Sequence, residues 1–263
     1  MTAPRPRPSR KGVVFAALTT ACFVGWIVVS AADVQPVPGS YGTDAFSRTA
    51  VGHAALVAFL RAAGFPAIVS RYRSGAVAGE RGLLVLAEPR IGARARSGPG
   101  PRLDEEDDDV SALVGRARRV LVVLPKRRPA PAGAPKPYEL VPREEVEAVL
   151  QAFVPGAALL RLHVDAPLSG ATFRAPDGLQ LADPGPDFVA VRSAAGRALV
   201  LRGDDGEGRD VWILTDPDLV ATHGLAKPGV PTFAAELFRD ALDGSDGAVV
   251  VDEAHHGFEL RPS

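Results

Sequence analysis

Cysteine is all but missing: Cys22 is the only one in 263 residues. An intramolecular disulfide, a multi-cysteine zinc site and a CxxC redox pair are thereby excluded. A surplus charge is missing too. The chain carries 30 basic against 31 acidic side chains for a formal net charge of -1, which leaves no electrostatic footprint for a polyanion and points away from nucleic acid as a partner. Lysine is scarce: Lys11, Lys126, Lys136 and Lys227 are followed by Gly, Arg, Pro and Pro. None of them fits a GxxxxGK[ST] phosphate loop, so no nucleotide is expected. What the chain has in quantity is apolar sequence, 46% of its residues, in runs that persist between 27 Gly and 24 Pro. Such a chain buries a core and folds.

The longest of those runs, residues 12–32 (GVVFAALTTACFVGWIVVSAA), carries no charge. As a helix it is about 31 Å long, enough to cross the hydrocarbon core of a bilayer. Arg5, Arg7, Arg10 and Lys11 precede it and no acid does; the first charge after it is Asp33. The positive-inside bias keeps residues 1–11 cytoplasmic as a basic tail and places residues 33–263 outside, as the extracytoplasmic domain of a single-pass protein of the inner or plasma membrane. A cleaved signal ending at Ser30-Ala31-Ala32 shares that orientation.

Beyond the linker DVQPVPG at residues 33–39, periodicity predicts an amphipathic helix over residues 51–63, stopped by Gly64 and Pro66. LLVLA at residues 83–87 and VLVVL at 120–124 read as buried strands. Between them, residues 103–119 run from six consecutive acids, Asp104 to Asp109, to Arg116, Arg118 and Arg119, the charge order a helix dipole favours. A loop at 125–137, a helix opened by Pro142, a strand at 157–162 and a turn-rich insertion with short strands at 166–195 follow. Residues 198–201 and 211–215 flank GDDGEG as a hairpin. A helix bearing Phe233, Leu237, Phe238 and Ala241 leads to a last strand at 248–251. Apolar strands alternating with amphipathic helices predict an α/β fold, a mostly parallel sheet flanked by helices.

In such a sheet ligands bind at the carboxyl ends of the strands. The last strand delivers Asp252, Glu253, His255 and His256 there, and the hairpin's second strand delivers Asp216 and Asp218, with His223 close behind. Asp216, His223, Asp252, Glu253, His255 and His256 are the candidate ligand-binding residues. The string VVVDEAHH is what a helicase uses to hold magnesium, but without a phosphate loop that function is excluded. Carboxylates and imidazoles together suit a metal; the absence of HxxxH and HxH spacing favours acids that cap turns and accept from a histidine. No cofactor or metal is assigned. Neither a GxSxG elbow nor a cysteine outside the apolar span is present, so no catalytic residue is assigned and no enzyme is expected.

GRDVWILTDPDLVATHGLA, PTFAAELF and AVVVDEAHHGF together resemble the domain of unknown function 4350 family, whose members carry a strand ending in T-D-P, a helix, and a strand ending in D-E-Y-H-H-G. SYGTDAFSRTAVGHAALVAFLRAAGFPAIV is similar to that family's opening. The chain departs from the pattern at Ala254, where the family has an aromatic, and at His223, where Asn is usual. The resemblance implies a class I glutamine amidotransferase-like sandwich on an N-terminal anchor, often with a second membrane helix after the His-His-Gly motif. Lacking the nucleophile cysteine of that fold, the chain is expected to be a non-catalytic binding or scaffold module of the cell envelope, with envelope proteins as partners. The alternative is an extracytoplasmic hydrolase, metal-assisted or not, using the same Asp, Glu and His residues.

Overall fold

The computed structural model describes residues 44–89, 114–130, 133–168 and 170–253. The chain divides into two units, residues 1–39 and 40–263, and the described residues belong to the second. The apolar run at 12–32 therefore lies outside them, as do the acids at 104–109 and both His255 and His256. Among the described residues no helix is long and apolar enough to cross a membrane.

The core is a mixed, mostly parallel sheet flanked by helices. Five strands run parallel: β1 (Ala67–Ser70), β2 (Leu83–Ala87), β3 (Arg119–Val123), β12 (Asp210–Leu214) and β13 (Val249–Asp252). Their order in space is β1-β13-β2-β3-β12, with Val250 level with Leu84 and Ile213 level with Val122. The sheet then continues antiparallel through β11 (Arg197–Asp204), β9 (Leu179–Asp183) and β6 (Ala158–Leu162), while β10 (Phe188–Ala194) also pairs with β11.

Every residue of β2 and β13 is buried, which is why their sequences are continuous apolar runs instead of alternating ones. Their side chains still divide by the two-residue period of a strand. Leu83, Val85, Leu121, Val123, Trp212, Leu214, Val249 and Val251 face one helical layer. It is formed by α1 (Ala54–Ala62), through Leu56, Val57 and Leu60, and α5 (Val230–Leu242), through Phe233, Leu237 and Phe238. Leu84, Leu86, Val120, Val122, Ile213 and Val250 face the other. There lie α2 (Ser74–Ala78) and α3 (Arg143–Phe153), the latter with Val146, Val149, Leu150 and Phe153 inward and Glu144 and Glu145 in its first turn.

Two expectations need correction. Arg119 opens β3 instead of closing a helix, because its neighbours Val120 to Val123 pair along both edges with β2 and β12. The stretch read as a plain loop after β3 contains β4 (Arg127–Pro129), paired with β5 (Tyr138–Leu140). Strands of three residues, held by backbone bonds, are too short to show a hydrophobic period. The turn-rich insertion holds short strands as expected: β7 (Asp165–Leu168) and β8 (Ala171–Arg174) form a hairpin, and β9 and β10 lie within the main sheet.

Candidate functional site

The connections leaving β3 and β12 go to opposite faces, the first to α3 and the second to α5. Neighbouring strands whose connections diverge leave a crevice at their carboxyl ends, where open α/β sheets bind ligands. In this chain the crevice is filled from within. Lys126, two residues beyond the apolar run of β3, is fully buried. Its Nζ donates to Asp216 Oδ2 and Asp218 Oδ2, both at 2.7 Å.

The turn after β12 aims these two acids. Asp216 accepts from the backbone N–H of Asp218 at 3.0 Å, capping the 3-10 turn Pro217–Leu219. A second backbone donor, Gln180 of β9, reaches its other oxygen at 2.9 Å. The chain then folds back through α4 (Thr222–Leu225), so tightly that a Cβ on Gly224 would lie 1.5 Å from the Asp218 carbonyl oxygen. Only glycine fits there. The return brings His223 Nε2 to 3.3 Å from Asp218 Oδ1 while its Nδ1 lies 2.7 Å from the Ala50 carbonyl. Arg127 completes the group: its guanidinium grips Asp218 and donates to Asp177 at 2.8 Å.

Burial alone would raise the Asp218 pKa, but the bond from His223 and the charges of Lys126 and Arg127 outweigh it and hold the carboxyl well below the usual range. Asp216 goes the other way. Complete burial pushes it up more than Lys126 and the amide of Gln180 pull it down, and the neighbouring Asp218 adds to the rise.

A second group sits at the exits of β13 and β2. Asp252 and Glu253 are adjacent in sequence, yet the strand period sends them apart. The Ser74 hydroxyl of α2 donates to Asp252 on one face, and Glu253 Oε1 accepts from Ala45 N–H at 2.6 Å on the α1 face. Both are buried. Desolvation raises Glu253 to about 8, against the amide of Ala45 and with help from Asp44 and Asp252. Its Oε2 has no hydrogen-bond partner among the described residues.

Glu88, just past β2, holds φ at 55°, in the left-handed region that costs a non-glycine residue roughly 1 kcal/mol or more. It keeps its place because its N–H bonds to Val123 O at 2.8 Å and its Oε1 meets His53 Nε2 at 3.0 Å, both side chains being buried. Burial raises the Glu88 pKa, and the contact with His53 opposes the rise.

Of the six residues singled out from sequence, Asp216 and His223 meet in the first group, and Asp252 and Glu253 stand in the second. The two groups share one sheet edge, but β2 and β3 come between β13 and β12, a separation of about 14 Å at the usual strand spacing. His255 and His256 lie outside the described residues. Sequence reasoning missed Lys126, Glu88 and His53. The signal for two of them was present: Glu88-Pro89 and Pro125-Lys126 each place a charge beside a proline just after an apolar run. Among the described residues no group of three or more His, Cys, Asp or Glu side chains is placed to hold a metal ion. No family model, curated protein or solved structure matches the chain.

Proposed function

We propose that this chain is a non-catalytic binding or scaffold module of the cell envelope, held at the membrane by the apolar run at residues 12–32 and related to the domain of unknown function 4350 family, with its class I glutamine amidotransferase-like sandwich. The observation that carries the proposal is the crevice between β3 and β12. An enzyme of this layout keeps that place open to substrate, whereas here Lys126, Asp216 and Asp218, at most 1% exposed, pair with one another. Functional carboxylates need solvent or substrate contact; structural ones need donors. These have donors.

One observation favours the hydrolase reading as a second choice. Glu253, raised to about 8, keeps its proton at neutral pH as a general acid does, and leaves Oε2 unpartnered among the described residues.

Photo-cross-linking in cells, with the probe placed at exposed Val189 or Arg118 of the full chain, separates the two. A discrete envelope protein joined to the chain at either position, and equally in a Glu253→Gln variant, is the expected result. Turnover of a model ester or glycoside by the purified chain, abolished by Glu253→Gln with the fold retained, overturns it.

A further inference from the structure

The group around Lys126 holds more than an ion pair requires. Its amine is 2.7 Å from each of two carboxylate oxygens, one on Asp216 and one on Asp218. Asp216 is further held by Gln180 N–H on Oδ2 at 2.9 Å and Asp218 N–H on Oδ1 at 3.0 Å. An amine, a carboxyl to acylate, a second carboxylate to carry a proton and a backbone N–H fixed on a carboxyl oxygen are the parts that form an amide with no outside reagent. We infer that Lys126 and Asp216 join through their side chains as an amide, a covalent staple between the exits of β3 and β12, with Asp218 as the proton carrier.

The step balances. One proton moves from Lys126 to Asp216, turning an ion pair into a neutral amine and a neutral acid, which dry surroundings favour because both charges vanish together. The upward push of burial on Asp216 acts in the same direction. The Nζ lone pair forms the C–N bond at Cγ, and the carbonyl electron pair moves onto Oδ1, where Asp218 N–H stabilises it. The Asp218 carboxylate takes a proton from the nitrogen and returns it to the Oδ2 hydroxyl. That C–O bond breaks, water leaves, and the carbonyl re-forms. An ammonium and a carboxylate become an amide and one water, no electron is exchanged with an oxidant or reductant, and Asp218 ends as it began.

The staple joins positions 90 residues apart, so like a disulfide it shortens the unfolded chain's reach. Beyond Cys22 the chain has no cysteine, and no disulfide can take that place.

Mass spectrometry of the folded full chain tests this directly. The staple removes one water, about 18 Da, and blocks trypsin after Lys126. Digestion then yields residues 120–127 joined to residues 210–239, a link readable wherever the N-terminus lies. Asp218→Asn keeps the shape of the proton carrier but not its basicity; that variant, folded by circular dichroism, should lose no water. A folded wild-type chain of undiminished mass that trypsin cuts after Lys126 overturns the staple whatever the variants do. Loss of water in folded Asp218→Asn overturns the role given to Asp218.

Discussion

The two ends of the parallel strands carry similar residues and treat them oppositely. At the carboxyl end the charges are dry: Lys126, Asp216, Glu88 and Glu253 are at most 3% exposed and each acid has a donor. At the amino end they are wet. A cavity of about 580 Å3 lies there among Glu80, Arg116, Arg118, Glu207 and Arg209, and a second of about 190 Å3 shares Glu80 and Arg118 and adds Arg202, Asp210 and Asp243. Pairing alone does not separate the ends, since Arg202 holds Asp210 in two bonds and Arg209 holds Asp205. Water does. An ion pair in solvent loses little when broken, while a buried one leaves its partner stranded in a poor dielectric. Charge content therefore says little about what an edge is for until access to solvent is known.

The sharpest way to break this contrast is Lys126→Met. It strands two buried carboxylates, and denaturant unfolding should show a loss of about 3–5 kcal/mol, or no folded protein at all. Adding Asp216→Asn and Asp218→Asn should restore part of that loss. A Lys126→Met chain as stable as wild type would mean the edge is as wet as its opposite. Asp252→Ala comes next, with an expected loss of about 1–3 kcal/mol at neutral pH from the Ser74 hydroxyl left without its acceptor. A stabilised variant would instead mark a ligand site.

An effect of comparable size is expected from pH. The folded pKa of Glu253, about 8, lies above its ordinary 4.5, so the folded state holds that proton more tightly. Its contribution is complete below pH 4.5 and is lost as pH rises through 8. Urea midpoints measured from pH 5 to 9 should fall with pH, and Glu253→Gln should flatten the fall; an equal slope in both proteins would remove Glu253 as its source. The least effect belongs to the amino end: Arg116→Ala and Arg118→Ala should each change stability by less than about 0.5 kcal/mol, measured the same way.

How much of this was legible in the sequence depends on the kind of signal. LLVLA and AVVV declared strands because both faces are covered, so every position must be apolar. The stripe Val146, Val149, Leu150 and Phe153 declared α3 by its helical period. The placement of β13 inside the sheet, between β1 and β2, follows the same logic as its all-apolar run. Strand order did not follow. The hairpin partner of β12 was readable from GDDGEG, but nothing local says that β2 and β3 separate Asp252 from Asp216. Adjacent acids looked like one cluster, and only the alternation of an extended chain sends Asp252 to Ser74 and Glu253 to Ala45. Lys126, followed by Arg127, fits no phosphate loop. That a lysine would be buried to serve two aspartates ninety residues downstream is a tertiary fact with no sequence period.

The bond from Ala45 N–H to Glu253 bears on how the domain tolerates rewiring. It brings Ala45 and Glu253 together at one edge, while the turn residues Gly206 to Gly208 are exposed far along the chain. A circular permutant joined by a short glycine-serine linker between residues 253 and 44, and reopened at that turn, keeps every strand neighbour of the parallel sheet. Its only cut connection is the β11–β12 hairpin, whose ladder from Val200 to Asp204 no longer needs a covalent turn once both strands are docked.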